Sequence, residues 1–196
     1  MSRKSRRPEG TAARQAHLLE SAITVVGRGG LRGLTHRAVD READLPEGTC
    51  SVYFRTRLAL LTALTAFVAQ RLTDDVRRMG EALPESNGDP APAIEATVEL
   101  VVRWSGRPDL LITMTELYLE SVRTPSLRSA SGAWRDGLVG VVEELVQRSG
   151  KSDPRRRAQG IVASVEGVAV ASLPLSARDR KTYLRDTLTL VVSSLA

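Results

Sequence analysis

Few side chains in this 196-residue sequence could serve as nucleophiles, general bases or metal ligands. It has one cysteine, Cys50, and two histidines, His17 and His36. A structural zinc site takes four ligands, mostly Cys and His, so we expect no metal site. A single cysteine excludes an intramolecular disulfide framework. No nucleophile–base pair appears, so the residue types favour a binding protein over an enzyme, and we expect no cofactor.

The segment from Leu34 to Leu61 has the pattern of two short helices joined by a tight turn. The first helix begins after Thr35, a good N-cap residue. The second is predicted over Pro46–Phe54, because proline suits the first turn of a helix and not its interior. Two such helices preceded by a third form a helix-turn-helix unit, whose second helix lies in the DNA major groove.

The distribution of charge agrees with a nucleic-acid partner. Residues 1–60 hold 11 Lys or Arg against 6 Asp or Glu, whereas residues 61–196 hold 17 of each sign, so the net charge of +5 belongs to the first third. A basic segment on a neutral body indicates a polyanionic partner. A basic tail is the alternative explanation, because residues 1–10 supply 4 of the 11 cations.

Apolar residues in the first half recur at the spacing of amphipathic helices. The first helix is predicted over residues 12–28, with Thr11 as its N-cap and the glycines at 27, 29 and 30 ending it. A long helix is predicted from about Arg57 to Met79.

The second half continues in helices that are separated by proline and glycine. Residues 84–92 form the clearest loop, and further breaks fall at Gly106–Pro108 and Pro125. The last pair of helices is predicted over residues 154–172 and 178–195.

The predicted fold class is therefore all-α, with about nine helices and no convincing strand. We divide it into a disordered basic arm (1–10), a three-helix helix-turn-helix domain (11–56), called the head, and a helical C-terminal domain (57–196), called the body. No stretch approaches the roughly 20 apolar residues of a membrane span. No apolar segment follows the N-terminal arginines as in an export signal, so we expect a cytoplasmic protein.

The helix-turn-helix region resembles the TetR family of bacterial transcriptional repressors. The resemblance rests on the spacing of four runs, Leu34-Thr35-His36-Arg37-Ala38-Val39, Ala43-Asp44-Leu45-Pro46-Glu47-Gly48-Thr49, Tyr53-Phe54-Arg55-Thr56-Arg57 and Leu60-Leu61. It covers about residues 12–65, and the remainder agrees in helix number and length. Asp44 stands where the family usually has glycine, and Asp tolerates a left-handed turn better than most residues.

The resemblance implies which side chains would contact double-stranded DNA. These are Thr35, Arg37, Glu47, Gly48, Thr49, Ser51, Val52, Tyr53 and Arg57. Glu47, Ser51 and Val52 would face base edges, and Gly48 would bring the helix close to the duplex. The hydroxyls and arginines would hold phosphates, contacts that position a protein without reading sequence. Val52 can pack on a thymine methyl group.

The resemblance also implies a homodimer on a palindromic operator, because two half-sites need two heads at a fixed spacing. We expect the last two helices to form the dimer interface. Their apolar stripes include Ile161, Val165, Val168, Leu184, Leu188, Val191 and Val192, and small residues such as Ala163 and Gly167 would permit close contact. Packing within one chain is the alternative for part of each stripe.

Family members enclose a pocket for a small, largely apolar effector. The aromatic and methionine side chains that could line it are Phe67, Trp104, Met114, Tyr118 and Trp134, with Glu116 or Glu120 as a polar anchor. The alternative for each is an ordinary core residue, which is the commoner role of such side chains. The implied mechanism is a population shift, in which the effector binds a conformation with wrongly spaced recognition helices.

We therefore predict a transcriptional repressor that a small molecule releases from DNA. A family-like regulator without a small-molecule ligand is the main alternative. A helical protein-interaction module would explain the apolar stripes but not the helix-turn-helix residues. An all-α enzyme would need a catalytic cluster, and both histidines fall in the DNA-binding head.

Overall fold

The computed structural model of the chain describes residues 10–84 and 89–195. In these ranges the backbone forms nine α-helices and no strand, which confirms the all-α class. They are α1 (Thr11–Gly33), α2 (His36–Glu42), α3 (Thr49–Tyr53), α4 (Arg57–Glu81), α5 (Ala91–Ser105), α6 (Pro108–Arg123), α7 (Pro125–Arg148), α8 (Pro154–Ser172) and α9 (Ala177–Leu195). Among the described residues, no helix has both the length and the apolar character that crossing a membrane requires.

Helix α1 is longer than predicted. Gly27 and Gly29 lie inside it, and the helical backbone is interrupted at Gly30, where φ is 62° and ψ is −175°. Glycine adopts such a conformation without the steric cost that a Cβ imposes. Gly10 precedes the first helical residue and no side chain caps that end, so the predicted N-cap at Thr11 was wrong.

The turn between α2 and α3 is built much as the sequence predicts. The Thr35 hydroxyl accepts a hydrogen bond from the Ala38 N–H at 3.1 Å and caps α2. Helix α3 begins at Thr49 rather than at Pro46. Residues 46–48 form the turn before it, and Gly48 takes a φ of 91° there.

Prolines begin most of the helices in the second half, as the sequence indicates. Pro108, Pro125 and Pro154 each occupy the first turn of a helix, where the absence of an N–H costs nothing. The predicted loop over residues 84–92 is described only at its ends, since 85–88 lie outside the described residues. The predicted basic arm lies outside them too, except for Gly10.

Two clusters of buried side chains hold the described helices together. The larger runs from α1 to α8 and includes Leu18, Leu64 and Leu127, each 0% exposed. The smaller joins α5, α6, α8 and α9 through Val98, Val101, Leu111, Ala169, Leu184 and Leu188. The larger cluster contains residues from both sides of position 57, so the head packs directly on the body. A domain boundary at residue 57 stays a prediction.

Helices α1 and α6 cross closely at Gly27. A Cβ added there would lie 2.5 Å from Asp109 Cβ and 2.7 Å from Asp109 Cα. Beside the crossing, Arg107 donates to Glu20 at 2.9 Å and to Asp109 at 2.9 Å. Arg71 donates to Glu20 at 2.6 Å. A cluster of ion pairs therefore joins α1, α4 and the beginning of α6.

The crossing makes a testable prediction for Gly27→Ala. The new methyl group would meet backbone atoms of Asp109, which cannot rotate away. We expect the free energy of unfolding, measured in urea, to fall by about 1–3 kcal/mol, the usual cost of overpacking. Gly29→Ala is the control, because it meets nothing within 4 Å and should be neutral or stabilising. Equal effects of the two substitutions would contradict the close crossing.

Candidate nucleic-acid interface and internal cavity

A buried carboxylate positions the short helix α3. Asp40 on α2 is 1% exposed. Its Oδ2 accepts from the Gly48 N–H at 2.8 Å and its Oδ1 from the Cys50 N–H at 2.7 Å. These are N–H groups at the beginning of α3 that have no partner within the helix, and an anion at that end is favourable. Sequence analysis did not identify Asp40, although an acid eight residues before a turn glycine was a usable signal.

The two histidines also form hydrogen bonds to backbone carbonyls in the head. His17 Nε2 donates to the Ala43 carbonyl at 2.9 Å, which ties α1 to the end of α2. His36 Nε2 donates to the Phe54 carbonyl at 2.6 Å, which ties α2 to the end of α3. Asp44 takes a φ of 52° in the turn, the left-handed conformation that the sequence predicts for it. Hydrogen bonds on several sides therefore fix α3 to the head.

The outer face of α3 carries small and apolar side chains in the open. Val52 is 75% exposed and Ser51 is exposed as well, whereas Cys50 points inward and is 0% exposed. Burial, and secondly the charge of Asp40, raise the pKa of the Cys50 thiol to about 12. Cys50 is therefore a protonated core residue, as expected for a small side chain on the inner side of the helix.

The predicted phosphate and base contacts surround this face. Arg37 donates to Glu47 at 3.0 Å, and the two side chains are 75% and 72% exposed. The Thr49 hydroxyl donates to the Pro46 carbonyl at 2.6 Å. Tyr53 is half-buried against the core. The structure thus places exposed groups of α2 and α3 side by side, and their contacts with DNA stay predictions.

Arg57, the last of the predicted phosphate contacts, is exposed and also forms hydrogen bonds within the protein. Its guanidinium donates to the Leu31 carbonyl at 2.6 Å and to the Leu34 carbonyl. Both carbonyls belong to the end of α1, so Arg57 joins the first turn of α4 to that end. Glu116 on α6 accepts from the Leu31 N–H at 3.3 Å. Glu116 thus holds the same turn of α1 and does not line the cavity described next.

A cavity of about 400 Å³ lies among helices α4 to α9. Apolar side chains from α4 to α9 form its wall, and the buried ones are Leu72, Val76, Leu100, Val101, Met114, Leu138, Val146, Ile161, Val162 and Val192. Trp104 and Met114 line it, as predicted candidates. Its size falls within the roughly 300–1,000 Å³ of small-molecule sites.

The other predicted pocket residues, Phe67, Tyr118 and Trp134, are not part of this lining. Phe67 packs on the larger core cluster. Tyr118 and Trp134 stack on each other, with ring centroids 4.6 Å apart. The Tyr118 hydroxyl donates to Glu166 at 2.8 Å, and burial together with that carboxylate raises the pKa of the phenol. Their aromatic surfaces are therefore used within the protein core.

The predicted dimer stripes turn mostly inward. Leu184 and Leu188 are 0% exposed in the smaller core cluster, and Val165 and Val168 pack against the same cluster. Ile161, Val165 and Val192 line the cavity, and Val191 is half-buried. Helices α8 and α9 need these side chains to pack on α5 and α7, so the stripes belong chiefly to the protomer. The exposed residues of these two helices include Ala163 and Gly167 on α8 and Leu190, 75% exposed, on α9.

The sequence of the second half of the chain matches a known protein family. The family model described as the C-terminal domain of tetracyclin repressor-like proteins matches residues 88–194, more than half of the chain. A search of curated protein sequences found no match.

Solved structures resemble the chain over nearly its whole length. The multidrug-binding protein EbrR complexed with proflavin is 29% identical, with 93% of this chain and 99% of that chain covered and a TM-score of 0.57. A TetR-family member from Streptomyces coelicolor A3 is 26% identical, with 94% and 98% covered and a TM-score of 0.66. A transcriptional regulator from Rhodococcus sp. Rha1 shares the fold at 19% identity, with 92% and 95% covered and a TM-score of 0.73.

The role of Asp40 can be tested with Asp40→Asn. The amide keeps the shape of the carboxylate but has one oxygen, so one of the Gly48 and Cys50 N–H groups loses its acceptor. We expect the free energy of unfolding to fall by about 2–3 kcal/mol, since the lost bond is to a buried charged group. Amide hydrogen exchange at Cys50 should become faster in the same variant.

The matched control is Asp44→Asn, the same chemical change four residues later. Asp44 is exposed with a positive φ, a conformation that Asn also tolerates. Its unfolding free energy should stay within about 0.5 kcal/mol of the parent, as for most surface substitutions. A loss of the same size in both variants would mean that Asp40 does not hold α3.

Proposed function

The chain belongs to the TetR family of transcriptional regulators, and we propose that it is a cytoplasmic repressor that binds a palindromic DNA operator as a homodimer. We propose further that a small, largely apolar molecule in the cavity releases it from DNA. The observation that carries the first part is the exposed outer face of α3, which Asp40 fixes at the surface of the head.

The side chains on this face suit the reading of a major groove. Val52 can pack on a thymine methyl group, Ser51 can donate to or accept from a base, and Glu47 can accept from a cytosine amino group. Thr35, Thr49 and Tyr53 offer hydroxyl groups and Arg37 a guanidinium at the margins of the same surface, where phosphates would lie. Gly48 has no side chain to hold the backbone of α3 away from the duplex.

A palindrome requires two such heads in one particle. The outward face of α8 and α9 is the surface that supports this assembly. Ala163 and Gly167 are small enough for a close helix approach, and Leu190 is a large apolar side chain left 75% exposed. Packing this face against the same face of a second copy would cover Leu190 and give a symmetric bundle of four helices.

The contacts of α6 support a route from the cavity to the head. Met114 lines the cavity, and Glu116, two residues later, accepts from the Leu31 N–H in the last turn of α1. Arg57 donates to the Leu31 carbonyl in that turn. A ligand that shifts α6 would therefore act on the end of α1 and the first turn of α4 together. Such a ligand shifts the population away from the conformation that fits both half-sites.

A related protein whose structure contains a bound small molecule supports the proposal of a small-molecule effector. EbrR, 29% identical to this chain, is a multidrug-binding protein solved with proflavin. The cavity here is of a size that accommodates a molecule of that order. A regulator without any small-molecule ligand would leave this apolar space without a use.

The proposal is tested by selecting DNA from a random pool with the full-length protein. We expect enrichment of an inverted repeat whose half-site centres lie about 34–36 Å apart, or a multiple of that distance, as for other helix-turn-helix dimers. Sedimentation of the protein with the selected duplex should give two or more chains per duplex. Enrichment of no sequence, or one chain on an asymmetric site, would contradict the proposal.

The roles of individual residues are separated by salt dependence. Arg37→Ala should weaken binding to the selected and to random duplexes alike and reduce the salt slope by about one per protomer, as for a lost phosphate contact. Val52→Ala should weaken only the selected site, by about 1–3 kcal/mol at one base pair. Arg57→Ala should weaken binding with an unchanged slope, because its bonds go to backbone carbonyls. Equal slope reductions for Arg37→Ala and Arg57→Ala would assign Arg57 to phosphate instead.

A further inference from the structure

The cavity has an apolar interior and a charged rim, and this division limits what it can bind. Trp104, Met114 and the buried aliphatic side chains form the interior wall. Asp89, Arg148 and Ser149 also belong to the lining, at the ends of α5 and α7. Asp89 and Arg148 are exposed, so a ligand in the cavity would have one end in contact with polar groups and water.

The polar groups of the interior already have partners within the protein. The Trp104 indole N–H donates to Asp75 at 2.9 Å, and the Thr97 hydroxyl donates to the Ala93 carbonyl at 2.8 Å. A polar group of a ligand placed deep in the cavity would lose its water without finding a free partner, which is costly. The buried part of the ligand is therefore apolar.

The Glu166 carboxylate in the lining is also fully used. One oxygen accepts from the Tyr118 hydroxyl at 2.8 Å, and the other accepts from Arg135 at 3.1 Å. The Arg135 guanidinium neutralises the charge of this carboxylate. A cationic ligand would have to displace Arg135 before it could pair with Glu166.

The two charged residues at the rim, Asp89 and Arg148, differ in the hydrogen bonds that they make. Asp89 Oδ1 accepts from the Ala91 N–H at 2.9 Å, in the first turn of α5, where a negative charge is favourable. Arg148, in the last turn of α7, makes no hydrogen bond or ion pair with any described residue. A guanidinium has five donors and binds a carboxylate through two parallel hydrogen bonds. Among the described residues of the rim, Arg148 is thus the charged side chain whose donors are all without a partner.

We infer that the effector of this protein is an amphiphile with an apolar body and an anionic end, and that Arg148 binds its carboxylate at the cavity rim. The inference rests on the proposed function and specifies the ligand class of the same cavity. The apolar body provides most of the affinity through burial, at roughly 25 cal/mol per Å² of apolar surface. The Arg148 pair provides the preference for one head group over another.

Three probes with a straight chain of twelve carbons and different end charges test this inference: dodecanoate, dodecanol and dodecyltrimethylammonium. Binding to the full-length protein is measured by titration calorimetry below the concentration at which the probes form micelles. We expect dodecanoate to bind tightest and the ammonium probe weakest. The preference should decline as salt is added, because an exposed ion pair is screened.

The variant that isolates the head-group contact is Arg148→Gln. It should weaken the binding of dodecanoate about two- to fivefold, the range for an exposed ion pair, and leave the affinity for dodecanol unchanged. Arg128→Gln is the control, since Arg128 is also an exposed arginine of α7 without a partner among the described residues and lies outside the cavity lining. It should change none of the three affinities.

Other outcomes would overturn the inference. Tightest binding of the ammonium probe, with that affinity lost in Glu166→Gln, would identify a site for cations. If Arg148→Gln does not change the affinity for dodecanoate, Arg148 does not bind the head group. If none of the probes binds, the effector is not an amphiphile of this class. These measurements use the protein without DNA, so they are independent of the operator. Failure of a bound probe to release the selected operator would count against the proposed switch and not against the head-group preference.

Discussion

The outer face of α3, the surface that we propose for DNA, depends on one buried anion. Helix α3 has five residues, too few for a helix to be stable by its own hydrogen bonds, because the nucleation of a helix is unfavourable. The Asp40 carboxylate compensates by accepting two N–H groups at the beginning of α3 in a site that is 1% exposed. Hydrogen bonds to a buried charge are among the stronger ones in proteins. Together with the His36 bond to the Phe54 carbonyl and the burial of Cys50, they hold the outer face of α3 in one orientation.

Local patterns in the sequence predicted the helices well, because apolar periodicity, capping residues and prolines act over a few residues. Thr35, Pro108 and Asp44 all have the conformation that their type predicts. The end of α1 was misjudged for a physical reason: glycine costs a helix only about 1 kcal/mol, which packing against α6 can outweigh. Gly27 is needed for space beside Asp109, and a sequence alone does not show that contact.

Contacts between distant segments were beyond sequence reasoning for the same reason. Arg57 has the charge that a phosphate contact needs, and its bonds to the carbonyls at the end of α1 could not be read from the sequence. Leu184 and Leu188 have the spacing of an interface stripe, and the same spacing serves equally well for packing on α5. An apolar stripe indicates that a surface is buried but not by which partner. The all-α class and the head could be predicted, whereas the division of each stripe between core and interface could not.

The pairing of Arg37 with Glu47 has a consequence for how a head of this kind would search a genome. In the free protein, Glu47 pairs with the exposed Arg37 guanidinium, and in a complex the Glu47 charge would repel the DNA backbone at any sequence. This repulsion would lower the affinity for arbitrary sequences, which outnumber true sites by a factor on the order of a million or more. The penalty is removed only where the bases supply a donor for the carboxylate, such as a cytosine amino group. An acidic residue in the turn before α3 would thus improve discrimination by weakening the wrong complexes.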